Sequence, residues 1–184
     1  ILGKSDITKD EYDVLIFASR DIKKVTIPPN ITTISSYAFS ESSITHIHIP
    51  SHITQICTGA FDRCTQLQQV DIPHDSKLQK IEKFVFENTL IENFIVPPQV
   101  TQICEHAFKD CQNLRNIEIS SDSNLRIIDK CSFSGSSIEN IMIPPSVTEL
   151  KDGWCCNTPL LSKVTVMKNN KYYKNYEEDE KLIL

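Results

Sequence analysis

The sequence predicts a solenoid of about six to seven rungs, built mostly from short β-strands, turns and single helical turns. Three observations carry this. First, the stretch ITQICTGAFDRCTQLQQVDIP at Ile53 to Pro73 recurs in variant form from Ile31, Leu78, Val100, Leu125 and Val147, with starts spaced 22, 25, 22, 25 and 22 residues apart. A fixed period in this range is the signature of stacked repeats. Second, each copy contains a period-2 stretch that reads as a strand, and in Ile49-Pro50, Ile72-Pro73, Val96-Pro97 and Ile143-Pro144 a proline follows it. Proline lacks a donor and turns the chain out of the ladder. Third, Phe39, Phe61, Phe86, Phe108 and Phe133 hold one position of the repeat and should stack as a spine along the axis.

The spacing contains a second period, because 22 and 25 alternate to give 47 residues. The longer copies add residues only at expected turns, as in His74 to Lys77, where extra length costs little.

Taken in order, residues 1–30 read as a degraded first rung and N-terminal cap, with Phe17 standing 22 residues before Phe39 and IKKVTIPP at Ile22 to Pro29 as the first full strand. Residues 31–166 are the repeats proper. In each strand two residues point inward, such as Val70 and Ile72, Phe94 and Val96, Ile117 and Ile119, Ile141 and Ile143, and Val164 and Val166. The apolar pair Ile53 and Ile56 and its equivalents should return on the other side of the coil as minimal extended strands. At the last rung the spine position holds Cys155, with Trp154 beside it, as expected of an atypical terminal repeat. Residues 167–184 leave the pattern and read as a polar edge or joint to a following unit, with an acidic run at Glu177 to Glu180. The chain opens at Ile1 without a leader and closes on Lys181-Leu182-Ile183-Leu184, which suggests a piece of a longer protein.

Composition narrows the function. With 24 acidic and 19 basic residues and a net charge of −5, the chain lacks the basic stripe that phosphate contacts need. No apolar run approaches the ~20 residues of a membrane helix. The seven cysteines are an odd number, so one thiol at least stays unbridged within the chain. Cys57 and Cys104, and Cys64 and Cys111, recur two rungs apart; at ~4.8 Å per strand this is about 10 Å, beyond the ~7 Å reach of a disulfide. Most thiols should therefore be buried core residues, while a cross-rung bridge from Cys131 to Cys155 or Cys156 stays open.

Signatures of catalysis are missing: there is no Gly-rich phosphate loop, no Gly-x-Ser-x-Gly and no His-Glu-x-x-His. His46, His48 and Asp71 lie on one strand face and have the chemistry of a metal site, but a solvated face explains them better, and neither metal nor cofactor is expected. Asn30-Ile31-Thr32 is a weak acceptor sequon for N-glycosylation at Asn30.

The open face of the strands remains. Its middle column reads Thr26, His48, Asp71, Ile95, Glu118, Met142 and Thr165, and the neighbouring column includes Asn93, Asn116 and Asn140 as a run of amides. Ile95 and Met142 are apolar where alternation expects water. Strand propensity accounts for this in part; the sharper reading is a protein-binding patch of Ile95, Met142, Glu118, Asn93, Asn116, Asn140, Asp71 and His48.

The segments Leu67 to Pro73 (Leu-x-x-Val-x-Ile-Pro) and Ala60-Phe61-x-x-Cys64, repeated as Ala107-Phe108-x-x-Cys111, resemble leucine-rich repeats of the BspA-like group. The resemblance covers roughly residues 14–166 and places the chain among leucine-rich repeat solenoids of the α/β horseshoe class. It implies a non-enzymatic adhesion module, secreted or on a microbial cell surface, contacting cells or host extracellular-matrix proteins such as fibronectin or fibrinogen. An intracellular protein-interaction scaffold is the alternative.

Overall fold

The structure is a computed structural model and describes residues 1–175. The acidic run from Glu177 and the closing Lys181 to Leu184 lie outside the described residues.

Each rung has to satisfy its backbone against its neighbours, and it does so on three sides. The first side is a parallel ladder of the period-2 segments: β4 (His46–His48), β6 (Gln69–Asp71), β8 (Asn93–Ile95), β10 (Asn116–Glu118), β12 (Asn140–Ile143) and β14 (Lys163–Val166). The second is made of two-residue strands, namely β2 (Val14–Leu15), β3 (Thr33–Ile34), β5 (Gln55–Ile56), β7 (Lys80–Ile81), β9 (Gln102–Ile103), β11 (Ile127–Ile128) and β13 (Glu149–Leu150). Alternation sets the faces: Ile47, Val70, Phe94, Ile117 and Ile141 are buried, while their neighbours in the strand face outward.

Of the two closures expected for the third side, a tight turn or a single helical turn, the tight turn is the one that forms. Among the described residues no helical turn forms where Ala60-Phe61 and its equivalents close the rung. Instead two residues four apart take left-handed backbone in every rung from Ile31 on: Tyr37 and Glu41, Gly59 and Arg63, Phe84 and Asn88, His106 and Asp110, Cys131 and Gly135, and Gly153 and Asn157. The cause lies in where the donors go. Ala60, Asp62 and Cys64 donate N–H within the rung, to Cys57, Gly59 and Phe61, whereas Gly59, Phe61 and Arg63 donate along the axis to Lys83, Val85 and Glu87 at 2.9, 3.0 and 2.9 Å. A helix would turn every donor inward; alternation leaves half of them to join rungs.

The spine forms as the spacing predicts. The rings of Phe39, Phe61, Phe86, Phe108 and Phe133 stack with centroids 5.0, 5.6, 5.5 and 5.4 Å apart, and Trp154 closes the column edge-on at 6.2 Å from Phe133. Phe94 enters from its strand and meets both Phe86 and Phe108.

The ends depart from the pattern. β1 (Leu2–Gly3) pairs antiparallel with β2 and covers the first rung. Phe17 does not join the spine; it is 40% exposed under the Arg20 guanidinium, and buried Ala18 supplies the N–H that reaches Ala38. The segment at Ile22 to Pro29 is not a strand, although Ile27 is buried. At the other end Val164 is 42% exposed, because the described residues stack no further rung on β14. Polar residues finish this edge: Asn170 donates to the Pro144 and Val147 carbonyls, Asn175 both donates to and accepts from the Val166 backbone, and the Tyr173 hydroxyl accepts from Leu150 N–H.

The 47-residue period has a structural counterpart. Within the rung pairs that start at Ile31, Leu78 and Leu125 the long ladder is complete, with three register pairs between β4 and β6, three between β8 and β10, and four between β12 and β14. Between pairs it lapses: β6 and β8 are not laddered, and β10 meets β12 only at Asn116 and Asn140. The extra residues of the long rungs sit at these junctions, closed by buried Ser76 and Ser123, whose hydroxyls accept from Leu78 and Leu125 N–H. The long ladder is thus grouped into units of two rungs, while the second ladder runs on across the later junction, where β9 pairs with β11.

Candidate recognition surface

The outward face of the long ladder carries the residues that alternation singles out. His48 stands opposite Asp71, Ile95 opposite Glu118, and Met142 opposite Thr165. In the next column His46 faces Gln69, and Asn93, Asn116 and Asn140 are consecutive partners. The amide ladder is realised in one step, since Asn116 Nδ2 donates to Asn93 Oδ1 at 2.7 Å.

Ile95 and Met142 do face solvent, at 62% and 48% exposure. Glu118 lies exposed between them, and no ion pair holds it among the described residues. The carboxylate of Asp71 is committed elsewhere: His46 Nε2 lies 3.0 Å from Oδ2, and Gln69 Nε2 donates to Oδ1 at 2.9 Å. The pairing is therefore diagonal, through His46 and not through His48. Among the described residues no three His, Cys, Asp or Glu side chains are grouped to hold a metal ion.

Where β6 and β8 part, the face opens into a groove of about 480 Å³, lined by Asp71 and Glu92 and by the apolar Ile72, Pro73 and Ile95 among others. Sequence spacing singled out His48, Asp71, Asn93 and Ile95 of its lining but neither Glu92 nor the groove, which opens where the ladder is missing. Nothing in the pattern of one strand reports whether its neighbour pairs.

Asn30 is half-buried, and its side-chain nitrogen, the atom a glycan would occupy, donates to the Tyr12 carbonyl at 2.6 Å. The thiols follow the core. Cys64 and Cys111 are fully buried and donate to the Phe39 and Phe86 carbonyls of the preceding rung, each at 3.0 Å. Burial pushes the Cys111 thiol up to about 12 and the Cys104 thiol up to about 11, so neither is a nucleophile near neutrality.

Comparison with known proteins gives the same repeat. The family described as the BspA type leucine-rich repeat region matches residues 14–115 and 79–177, with six copies. The chain belongs to this family. Solved structures with the same fold include a leucine-rich repeat protein from Bacteroides ovatus, 21% identical, at a TM-score of 0.70 over 84% of this chain and 47% of that one. The pneumococcal vaccine antigen PcpA is 24% identical, at a TM-score of 0.71 over 86% of this chain and 44% of that one. A leucine-rich cell surface protein from Faecalibacterium prausnitzii is 18% identical, at a TM-score of 0.56 over 91% of this chain and 50% of that one. This BspA-type chain thus spans about half the length of each of these three structures. A sequence search of curated proteins finds no match. Among the described residues no helix is long and apolar enough to cross a membrane.

Proposed function

We propose that this BspA-type array is a non-enzymatic recognition module of a microbial cell-surface or secreted protein, and that it adheres to cells or to host matrix proteins such as fibronectin or fibrinogen. The observation that carries the reading is the pair Ile95 and Met142, exposed on a rigid face with the uncommitted carboxylate of Glu118 between them. Apolar side chains on either side of a charge suit an extended partner segment that presents a basic residue flanked by apolar ones. The amides of Asn93, Asn116 and Asn140 alongside offer donors and acceptors to its backbone. Family membership and the surface proteins among the structural neighbours support the placement outside the cell.

The test is binding of the purified chain to immobilised fibronectin and fibrinogen over a range of salt. Binding should weaken as salt rises, since the Glu118 contact is exposed to screening. Ile95→Lys and Met142→Lys should each weaken binding by roughly thirtyfold, the equivalent of about 2 kcal/mol, at an unchanged melting temperature. If both bind as tightly as the parent, while Gln79→Lys or Thr101→Lys, just before β7 and β9 of the second ladder, abolishes binding, the surface lies on another face.

A further inference from the structure

Two thiols meet across the last junction of the array. The Sγ atoms of Cys131 and Cys156 lie 3.7 Å apart, and both residues are partly exposed. The turn ladder brings them together: Cys131 N–H donates to Gly153 O at 3.2 Å, Phe133 to Trp154 at 2.9 Å, and Gly135 to Cys156 at 3.2 Å. Left-handed backbone at Cys131 and Gly135 aims these donors along the axis. Cys155, adjacent in sequence, is not the residue that faces Cys131.

The other two-rung units place no cysteines here. The equivalent positions hold Tyr37 with Asp62 and Phe84 with Lys109. Those units instead join their two rungs by the buried thiols of Cys64 and Cys111, and the third unit has Thr158 at that position, whose hydroxyl bonds back to Cys155 of its own rung. The third unit therefore lacks the buried thiol-to-carbonyl link of the others and carries a facing thiol pair, with Cys156 Sγ also 3.2 Å from Ser134 Oγ of the preceding rung.

We propose that Cys131 and Cys156 are a redox-modification site that closes to an intramolecular disulfide on reaction with a low-molecular-weight disulfide. One cysteine loses its proton to solvent, and its thiolate attacks a sulfur of the small disulfide, expelling one small thiolate. The second cysteine, deprotonated in turn, attacks the protein sulfur of the mixed disulfide and expels the other small thiolate. Both leaving thiolates take up protons, so two cysteine thiols are oxidised by two electrons and one small disulfide is reduced to two thiols. The sulfurs have to close from 3.7 Å to a bond of about 2.05 Å. The bridge pins the terminal rung, whose outer strand β14 has no further neighbour among the described residues. The recognition surface plays no part in this inference.

The test is incubation of the native chain with oxidised glutathione, followed by alkylation and peptide mapping. The expected result is one bridged species joining Cys131 to Cys156, five alkylatable thiols after denaturation, and a melting temperature that rises and returns on reduction. Cys155→Ser should close the same bridge, whereas Cys131→Ser and Cys156→Ser, checked for native circular dichroism, should form none. A bridge through Cys155, persistent glutathione adducts without a bridge, or seven free thiols under excess oxidant would each overturn the assignment.

Discussion

The junction between the rungs at Leu78 and Val100 and the one between the rungs at Ile53 and Leu78 join rungs of the same two types in opposite order, yet they are held differently. At the first, β8 pairs with β10, β7 pairs with β9, and the Cys111 thiol reaches Phe86 O. At the second neither ladder continues, and the Thr89 hydroxyl turns back to Phe86 O of its own rung. What crosses it is the turn ladder from Gly59, Phe61 and Arg63, the stack of Phe61 on Phe86 at 5.6 Å and, on the strand side, one hydrogen bond from Glu92 N–H to Gln68 O at 3.2 Å. The strands that define the fold to the eye are therefore dispensable at one junction in the middle of the array. The turn face and the aromatic column run from the rung at Ile31 to the last one. In a one-dimensional array, stability is a sum of rung and interface terms, so the weakest interface sets where the array can divide.

The largest effect expected is at the column. Phe86→Ala removes a fully buried ring that touches Phe61, Phe94 and Phe108, and should cost about 3–5 kcal/mol. Because the junction before it has no ladder, denaturant unfolding of this variant should also lose two-state character, with the first rungs and the later ones melting apart. Phe17→Ala, at the exposed ring, should change stability by less than about 0.5 kcal/mol. Similar costs at Phe86 and Phe17 would show that the column does not carry the junction.

A smaller effect should separate the junctions by pH. Cys111 lies inside a two-rung unit, and burial holds its thiol at about 12 in the folded chain against an ordinary value of 9.0. A folded pKa raised in this way contributes stability that is fully present below pH 9 and is lost as pH rises from 9 towards 12. The slope reaches about 1.4 kcal/mol per pH unit, because the unfolded chain releases a proton that the folded chain retains. Unfolding midpoints measured from pH 7 to 11 should fall less steeply for Cys111→Ser, which keeps a donor towards Phe86 O but does not titrate in this range. Parallel curves for the two proteins would remove the thiol link from the account.

The difference between junctions also marks what could be read in advance. Side-chain periodicity reports which residues face the core, so the rung starts, the aromatic column and the exposure of Ile95 and Met142 were legible. Phe17 shows the limit of counting: it holds the right distance from Phe39, but the first rung lacks the turn that would carry it inward, and Ala18 takes the buried place. The turn conformation was hidden for a related reason. Left-handed backbone is usually announced by glycine or asparagine, whereas here Tyr37, Arg63 and Phe84 adopt it and each donates its N–H to the next rung, a gain that offsets the local cost. The groove beside Ile95 depends on whether two strands pair, and both strands carry ordinary strand sequence. The 47-residue period was visible, but its meaning as a unit of two rungs needed the register.

The smallest effect is also the most direct reading of the open junction. Ile49 and Val96 occupy equivalent places before a proline, and their N–H groups donate to Asp71 O at 2.8 Å and Glu118 O at 2.9 Å across closed junctions. Ile72 holds the same place at the open junction, and among the described residues its N–H reaches no carbonyl of β8. One backbone hydrogen bond contributes roughly 0.5–1.5 kcal/mol net, and local openings are governed by such differences. Amide exchange at Ile72 should therefore be up to about tenfold faster than at Ile49 and Val96. The comparison is sharpened by a ligand. If the groove lined by Asp71, Glu92 and Ile95 is part of the partner-binding face, a bound partner should slow Ile72 selectively and leave Ile49 and Val96 unchanged. Equal protection of the three amides in the free chain would mean that β6 and β8 are laddered in solution. The array would then be a uniform stack of rungs, not a series of two-rung units.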